Sequence, residues 1–242
     1  MPEELPLRAE AELDEPLRSY WLTRLRQHVT DSYAGLGLSK FPEDLRVYEH
    51  LLWGSRASAV IEVGAQSGGS ALWFRDRLAS LTRYTGGGRA TVVSVDLDVS
   101  EARAAVAEAD ATAGPSGEIV FIQADVRDPD LTERVARALP EGARCLVSED
   151  SAHIYDTTYA ALESLSTFVP PEGFFVVEDG VVDIDELRVD ASWPRGVLPA
   201  VEAWLETAAG REFTPRRDLE LYGVTCHPGG FLQRRAPLSH SS

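Results

Sequence analysis

Lysine is almost missing from this chain: of its 23 basic residues, only Lys40 is not an arginine. Positive charge of any kind is scarce, because 39 acids leave a formal charge of −16. A field of that sign repels phosphate backbones and anionic bilayers, so neither nucleic acid nor a membrane surface is expected as the main partner. A small neutral or cationic ligand fits better. Cysteine is nearly absent too, and Cys145 and Cys226 both fall in apolar, strand-like stretches that read as buried thiols and not as a disulfide. No apolar run reaches membrane-spanning length. The opening Met-Pro-Glu-Glu-Leu-Pro lacks the basic and apolar regions of a signal peptide, so a cytoplasmic enzyme is the expectation.

Length and pattern then set the organisation. A chain of 242 residues holds one sizeable α/β domain with an extension. The reading divides it into an N-terminal helical extension over 1–40, a main domain over 41–235 and a disordered tail over 236–242. The first fifteen or so residues are acidic and proline-containing, and are expected to be loosely ordered. Apolar Leu17, Tyr20, Trp21, Leu25 and Val29 recur at helical spacing, and Phe41-Pro42-Glu43-Asp44 opens a second helix. Strands are expected over Val60–Val63, Thr91–Val95, Ile119–Gln123, Arg144–Ser148 and Gly173–Val177, alternating with helices. That alternation implies a parallel sheet covered on both faces, closed by a strand pair over Leu219–Thr225 and Gly230–Arg234.

The stretch Val60 to Ser70, Val-Ile-Glu-Val-Gly-Ala-Gln-Ser-Gly-Gly-Ser, organises the rest. It reads as a buried strand feeding a tight turn, where Gly64, Gly68 and Gly69 let the backbone approach a ligand and Ser70 begins a helix. Ligands of open α/β sheets bind at such carboxyl ends. Glu62 would repel a dinucleotide pyrophosphate and favour a cationic ligand, which suggests S-adenosylmethionine over NAD. Asp96 ends the next strand, where a ribose is held through its hydroxyls. Asp125, after the third, is placed to accept from an adenine amino group.

Two further strands end in acids, Glu149-Asp150 and Glu178-Asp179. Neighbouring strands lie roughly 5 Å apart, so their carboxylates converge and need a cation. Oxygen-only ligands favour Mg²⁺. Alternation along a strand lets only one of Glu149 and Asp150 face the ligand. His153, on the same loop as Asp150, has an ordinary pKa suited to removing a hydroxyl proton. Asp183, Asp185, Glu186 and Asp190 form another acidic run, read as a solvated loop or lid. Trp193, Trp204, Tyr155 and Phe231 are candidates for an acceptor pocket.

Taken in order, Lys40-Phe41-Pro42-Glu43-Asp44, Ile61-Glu62-Val63-Gly64 with Gly68-Gly69-Ser70, Asp96-Leu97-Asp98, Asp150-Ser-Ala-His153, Val177-Glu178-Asp179 and Pro228-Gly229-Gly230-Phe231-Leu232 form an ordered set. From about Leu38 to Arg234 this set resembles the cephalosporin hydroxylase-like group of class I methyltransferases, which includes sugar O-methyltransferases of macrolides. The resemblance implies a Rossmann-like fold with a mostly parallel sheet and an antiparallel C-terminal strand. It further implies Mg²⁺ on Asp150, Glu178 and Asp179, His153 as general base, and S-adenosylmethionine against Glu62, Gly64, Ser70, Asp96 and Asp125. The reaction implied is O-methylation of a sugar hydroxyl on a glycosylated natural product, as in antibiotic biosynthesis. A phenolic or catechol methyltransferase and a hydroxylase component stand as alternatives. Glu149 departs from the apolar residue expected before the metal aspartate. The amphipathic N-terminal helices are compatible with a homo-oligomer.

Overall fold

The computed structural model of the chain describes residues 15–86, 88–188 and 191–237. The expected loose N-terminal residues before 15, Asp190, and 238–242 of the expected tail lie outside these. In chain order the elements are α1 (Glu15–His28), a short hairpin of β1 (Ser32–Tyr33) and β2 (Leu36–Gly37), α2 (Pro42–Ser55), β3 (Ala59–Val63), α3 (Gly69–Thr85), β4 (Thr91–Asp96), α4 (Ser100–Ala113), β5 (Glu118–Gln123), α5 (Leu131–Ala138), β6 (Cys145–Glu149), α6 (Tyr155–Leu165), β7 (Phe174–Val177), α7 (Val197–Leu205), β8 (Phe213–Pro215) and β9 (Phe231–Arg234).

Side-chain alternation along the strands builds a core on each face of the sheet. Ile61, Val93, Val147 and Phe175 go to one face with Leu131, Leu162 and Trp204 from α5, α6 and α7. Val60, Val92, Leu146 and Val176 go to the other, against Tyr48, Leu51, Phe74 and Leu78 from α2 and α3. The strands β5, β4, β3, β6 and β7 run parallel in that order, and β9 and β8 complete a seven-stranded sheet antiparallel at its end. The chain moves outward from β3 through β4 to β5, then returns to place β6 beside β3. That reversal opens a crevice at the carboxyl ends of β3 and β6, where open α/β sheets bind ligands.

The closing strands differ from the expectation. Phe213–Pro215, not Leu219–Thr225, pairs with β9, and the latter stretch forms helical turns. Its hydrogen-bonding groups are engaged elsewhere: Thr225 Oγ1 and the Cys226 N–H donate to Asp44 at 2.6 and 2.9 Å. The expected loop over Asp31 to Lys40 contains the β1–β2 hairpin. The helix α1 packs through Trp21 and Leu25 onto Phe41, Val181 and Cys226, and the Trp21 indole donates to the Leu187 carbonyl at 2.7 Å. Both cysteines are buried and free. Among the described residues no helix is long and apolar enough to cross a membrane.

Candidate active site

A cavity of about 700 Å³ occupies the crevice, a size typical of small-molecule sites. The loop after β3 forms its floor and depends on glycine in two places. At Gly64 (φ +100°) a Cβ would lie 2.0 Å from the Asp150 carbonyl oxygen, and at Gly69 one would lie 2.1 Å from that of Gly37. Backbone therefore packs against backbone here, which draws the ends of β3 and β6 together.

Gly64, Ser70, Asp96 and Asp125 all reach this cavity. The Asp96 carboxylate also holds the loop in place, with Oδ2 accepting from the Ala65 and Gln66 N–H groups at 2.8 and 3.2 Å. Asp125 accepts from Arg127 Nε at 2.8 Å and Nη2 at 2.5 Å, and these hydrogen bonds hold its carboxyl down at about 2. Glu62 sits behind the loop and is not part of the cavity wall. It is 1 % exposed and accepts from Ser94 Oγ at 2.6 Å. Burial pushes its carboxyl up to about 7 despite the hydrogen bonds from Ser70 and Ser94.

At the other end, Asp150, His153 and Asp179 converge, with one potential ligand atom from each lying within 4.8 Å of the others. His153 Nε2 is 3.9 Å from Asp150 Oδ1 and 3.5 Å from Asp179 Oδ2. Both His153 and Asp179 are in the left-handed region at φ 55°, a conformation that costs about 1 kcal/mol or more for such residues. Neighbouring groups hold it. The Asp179 N–H donates to His227 Nδ1 at 3.1 Å. Glu149 faces away from the cavity, fully buried, and accepts from the Ser151 N–H at 3.1 Å and Thr158 Oγ1 at 3.3 Å, which fixes the loop carrying Asp150 and His153. Alternation along the strand thus turns Asp150 to the cavity and Glu149 into the scaffold.

Charge is crowded here. Burial, then the neighbouring Asp150, pushes the Asp179 carboxyl up to about 6. Burial disfavours the imidazolium of His153, but Asp179 and Asp150 outweigh it and raise its pKa. Two carboxylates with oxygen donors facing one point suit a hard divalent cation such as Mg²⁺.

Glu178 adjoins the cavity from behind and does not line it. Its Oε1 accepts from Lys40 at 2.7 Å, Tyr48 Oη at 2.7 Å and Ser148 Oγ at 2.6 Å, and its Oε2 from Lys40 at 2.6 Å. Burial alone would raise this carboxyl, yet Lys40 and then His227 hold it at about 2. None of Lys40, Tyr48, Ser148 and His227 stands out as a site residue in the sequence. The one available signal was a solitary lysine just before α2. Of the proposed acceptor aromatics, Trp193 lines the cavity, whereas Trp204 and Phe231 are core residues and Tyr155 stacks on Tyr159. Leu25 and His28 of α1, and Val29 just after it, also line it.

Sheet order, switch point and cavity together define a Rossmann-like methyltransferase fold. The family described as Rhamnosyl O-methyltransferase/CmcI matches residues 26–235, and the chain belongs to it. The rhamnosyl O-methyltransferase of Mycobacterium tuberculosis (strain ATCC 25618 / H37Rv) is 26% identical over 205 residues, 84% of this chain and 78% of that protein. The Mycobacterium leprae (strain TN) enzyme of the same name is 26% identical over 208 residues, 85% and 84% of the respective chains. A solved structure of CmcI with Mg and SAM superposes with a TM-score of 0.58 at 22% identity, covering 98% of this chain and 87% of that one.

Proposed function

We propose that this chain is an S-adenosylmethionine- and Mg²⁺-dependent O-methyltransferase acting on a sugar hydroxyl of a glycosylated natural product. The observation carrying this reading is the single cavity that joins the Gly64–Ser70 loop and Asp96 to Asp150, His153 and Asp179. Membership of a family that contains rhamnosyl O-methyltransferases supports the sugar acceptor.

Asp150 and Asp179 would hold Mg²⁺, with Glu178 as the third carboxylate behind Asp150. Gly64, Ser70, Asp96 and Asp125 would hold the cofactor. When bound, S-adenosylmethionine supplies a methyl on a sulfonium, and Mg²⁺ supplies charge that acidifies a hydroxyl. The chain's own task is then placement and proton removal. His153 Nε2 takes the proton of the attacking hydroxyl, and the imidazolium formed is stabilised by Asp179 and Asp150 at the distances given above. Leu25, Val29 and Trp193 present an apolar wall that excludes water and accepts the less polar face of a sugar and its aglycone.

The test is calorimetric titration of metal-free protein with S-adenosylmethionine, followed by methyl transfer to rhamnosides and macrolide glycosides with and without Mg²⁺. Cofactor binding with Mg²⁺-dependent transfer to a glycoside is the expected result. Transfer to catechol in preference to every glycoside would replace the acceptor assignment, and absence of cofactor binding would overturn the whole reading.

A further inference from the structure

The chain's only lysine lies inside the acidic cluster. Lys40 Nζ donates to Asp150 Oδ2 at 2.9 Å and to the two oxygens of Glu178 at 2.7 and 2.6 Å, with its side chain 3% exposed. An ammonium has three donors, so its capacity is used on two of the carboxylates proposed to serve the metal ion. Those carboxylates have little left to offer. Oε1 of Glu178 already accepts from Lys40, Tyr48 and Ser148, and Oε2 accepts from Lys40. Asp150 is divided, with Oδ2 toward Lys40 and Oδ1 toward His153. A metal ion that engages Glu178 therefore shares its carboxylate with the Lys40 ammonium already bound there. Two cations served by the same carboxylates in a buried setting also repel each other strongly.

We infer that Lys40 is an internal competitor of the divalent ion: ammonium and metal contend for Glu178 and Asp150, and the lysine sets how tightly the centre holds metal. This rests on the metal reading given above. It differs in sign from a purely structural role. A lysine that only ties the start of α2 to the ends of β6 and β7 would, on removal, disorder Asp150 and weaken metal binding. Removal of a competitor strengthens it.

The experiment measures Mn²⁺ affinity by electron paramagnetic resonance of the free ion, on metal-free full-length protein, for wild type, K40M, K40R and K40M/E178Q. The expected result is that K40M binds Mn²⁺ roughly tenfold tighter or more. K40R, which keeps the charge, stays within about threefold of wild type, and K40M/E178Q loses the gain because the freed carboxylate is gone. Equal or weaker binding by folded K40M overturns the inference. Failure of wild type to bind Mn²⁺ while K40M binds it overturns the metal reading and upholds the competition, whereas binding by neither overturns both. Should K40M not fold, wild type suffices: ¹⁵N-lysine labelling gives a single side-chain resonance. A shift of that resonance as Mg²⁺ saturates the site supports the competition, and an unmoved resonance with Mg²⁺ bound overturns it.

Discussion

His153 and Glu62 show how two side chains near one loop can serve opposite ends. His153 reaches the cavity on a left-handed backbone position and faces both Asp150 and Asp179, where the proposed function has it take the reacting proton. H153A is expected to lower methyl transfer by about 100-fold or more while leaving the affinity for S-adenosylmethionine unchanged, measured as kcat and as calorimetric Kd. Unaltered kcat would remove His153 from the base role. Glu62, by contrast, is buried away from solvent, and burial moves its carboxyl from 4.5 to about 7. The folded state thus binds this proton more tightly than the unfolded state. The stability it confers is complete below pH 4.5, falls as pH rises toward 7, and is constant above that, a change of about 3 kcal/mol at most. E62Q carries no ionisable group, so its stability should not show that decline. Urea denaturation of wild type and E62Q at pH 5 and pH 8 checks this, and parallel profiles would show that Glu62 is not the group responsible.

Elements decide where such residues can meet. The acidic run after β7 was read as a solvated loop or lid, but Asp183 caps α7, its two oxygens accepting from the Gly196 and Leu198 N–H groups at 2.8 Å each. The segment between Asp183 and α7 carries Trp193 and Pro194 to the cavity wall, and Arg188 steadies it through the Val182 and Ala191 carbonyls. D183A is expected to cost about 1 kcal/mol in stability through the lost cap. Its larger effect should fall on the acceptor KM, with the cofactor Kd unchanged, because the segment leading to this cap carries Trp193 and Pro194, the proposed acceptor wall. An unchanged acceptor KM would detach that wall from the cap. Strand ends were legible in the sequence because short apolar runs and terminal acids are local: Asp96, Asp125, Asp150 and Glu178 end or follow strands, and Glu62 lies one residue before the end of β3. The identity of β8 was not legible. It depends on Thr225 and Cys226 binding Asp44, residues more than 180 positions apart in the chain, and no local pattern encodes that.

At the scale of the whole molecule, the acidic surplus has a focus. Asp44, Asp150, Glu178 and Asp179 gather around the carboxyl ends of β6 and β7, with the chain's one lysine and the imidazoles of His153 and His227 set among them. The approach of Lys40 to Glu178 spans 138 positions of sequence, which is why the acids could be read from the sequence and their internal partner could not. The proposed cofactor end uses different residues of the same cavity, the loop after β3 with Asp96 and Asp125. If the two sets act independently, cofactor binding and metal dependence are separable in solution. A ligand at 100 times its Kd stabilises the folded state by about 2.7 kcal/mol, which for a chain of this length raises Tm by roughly 5–10 °C. S-adenosylmethionine should therefore produce that rise in EDTA as well as in Mg²⁺, while methyl transfer survives only in Mg²⁺. Loss of the thermal shift in EDTA would mean that the acid end and the glycine loop act as one coupled site, and would transfer the metal's role from the acceptor hydroxyl to the cofactor.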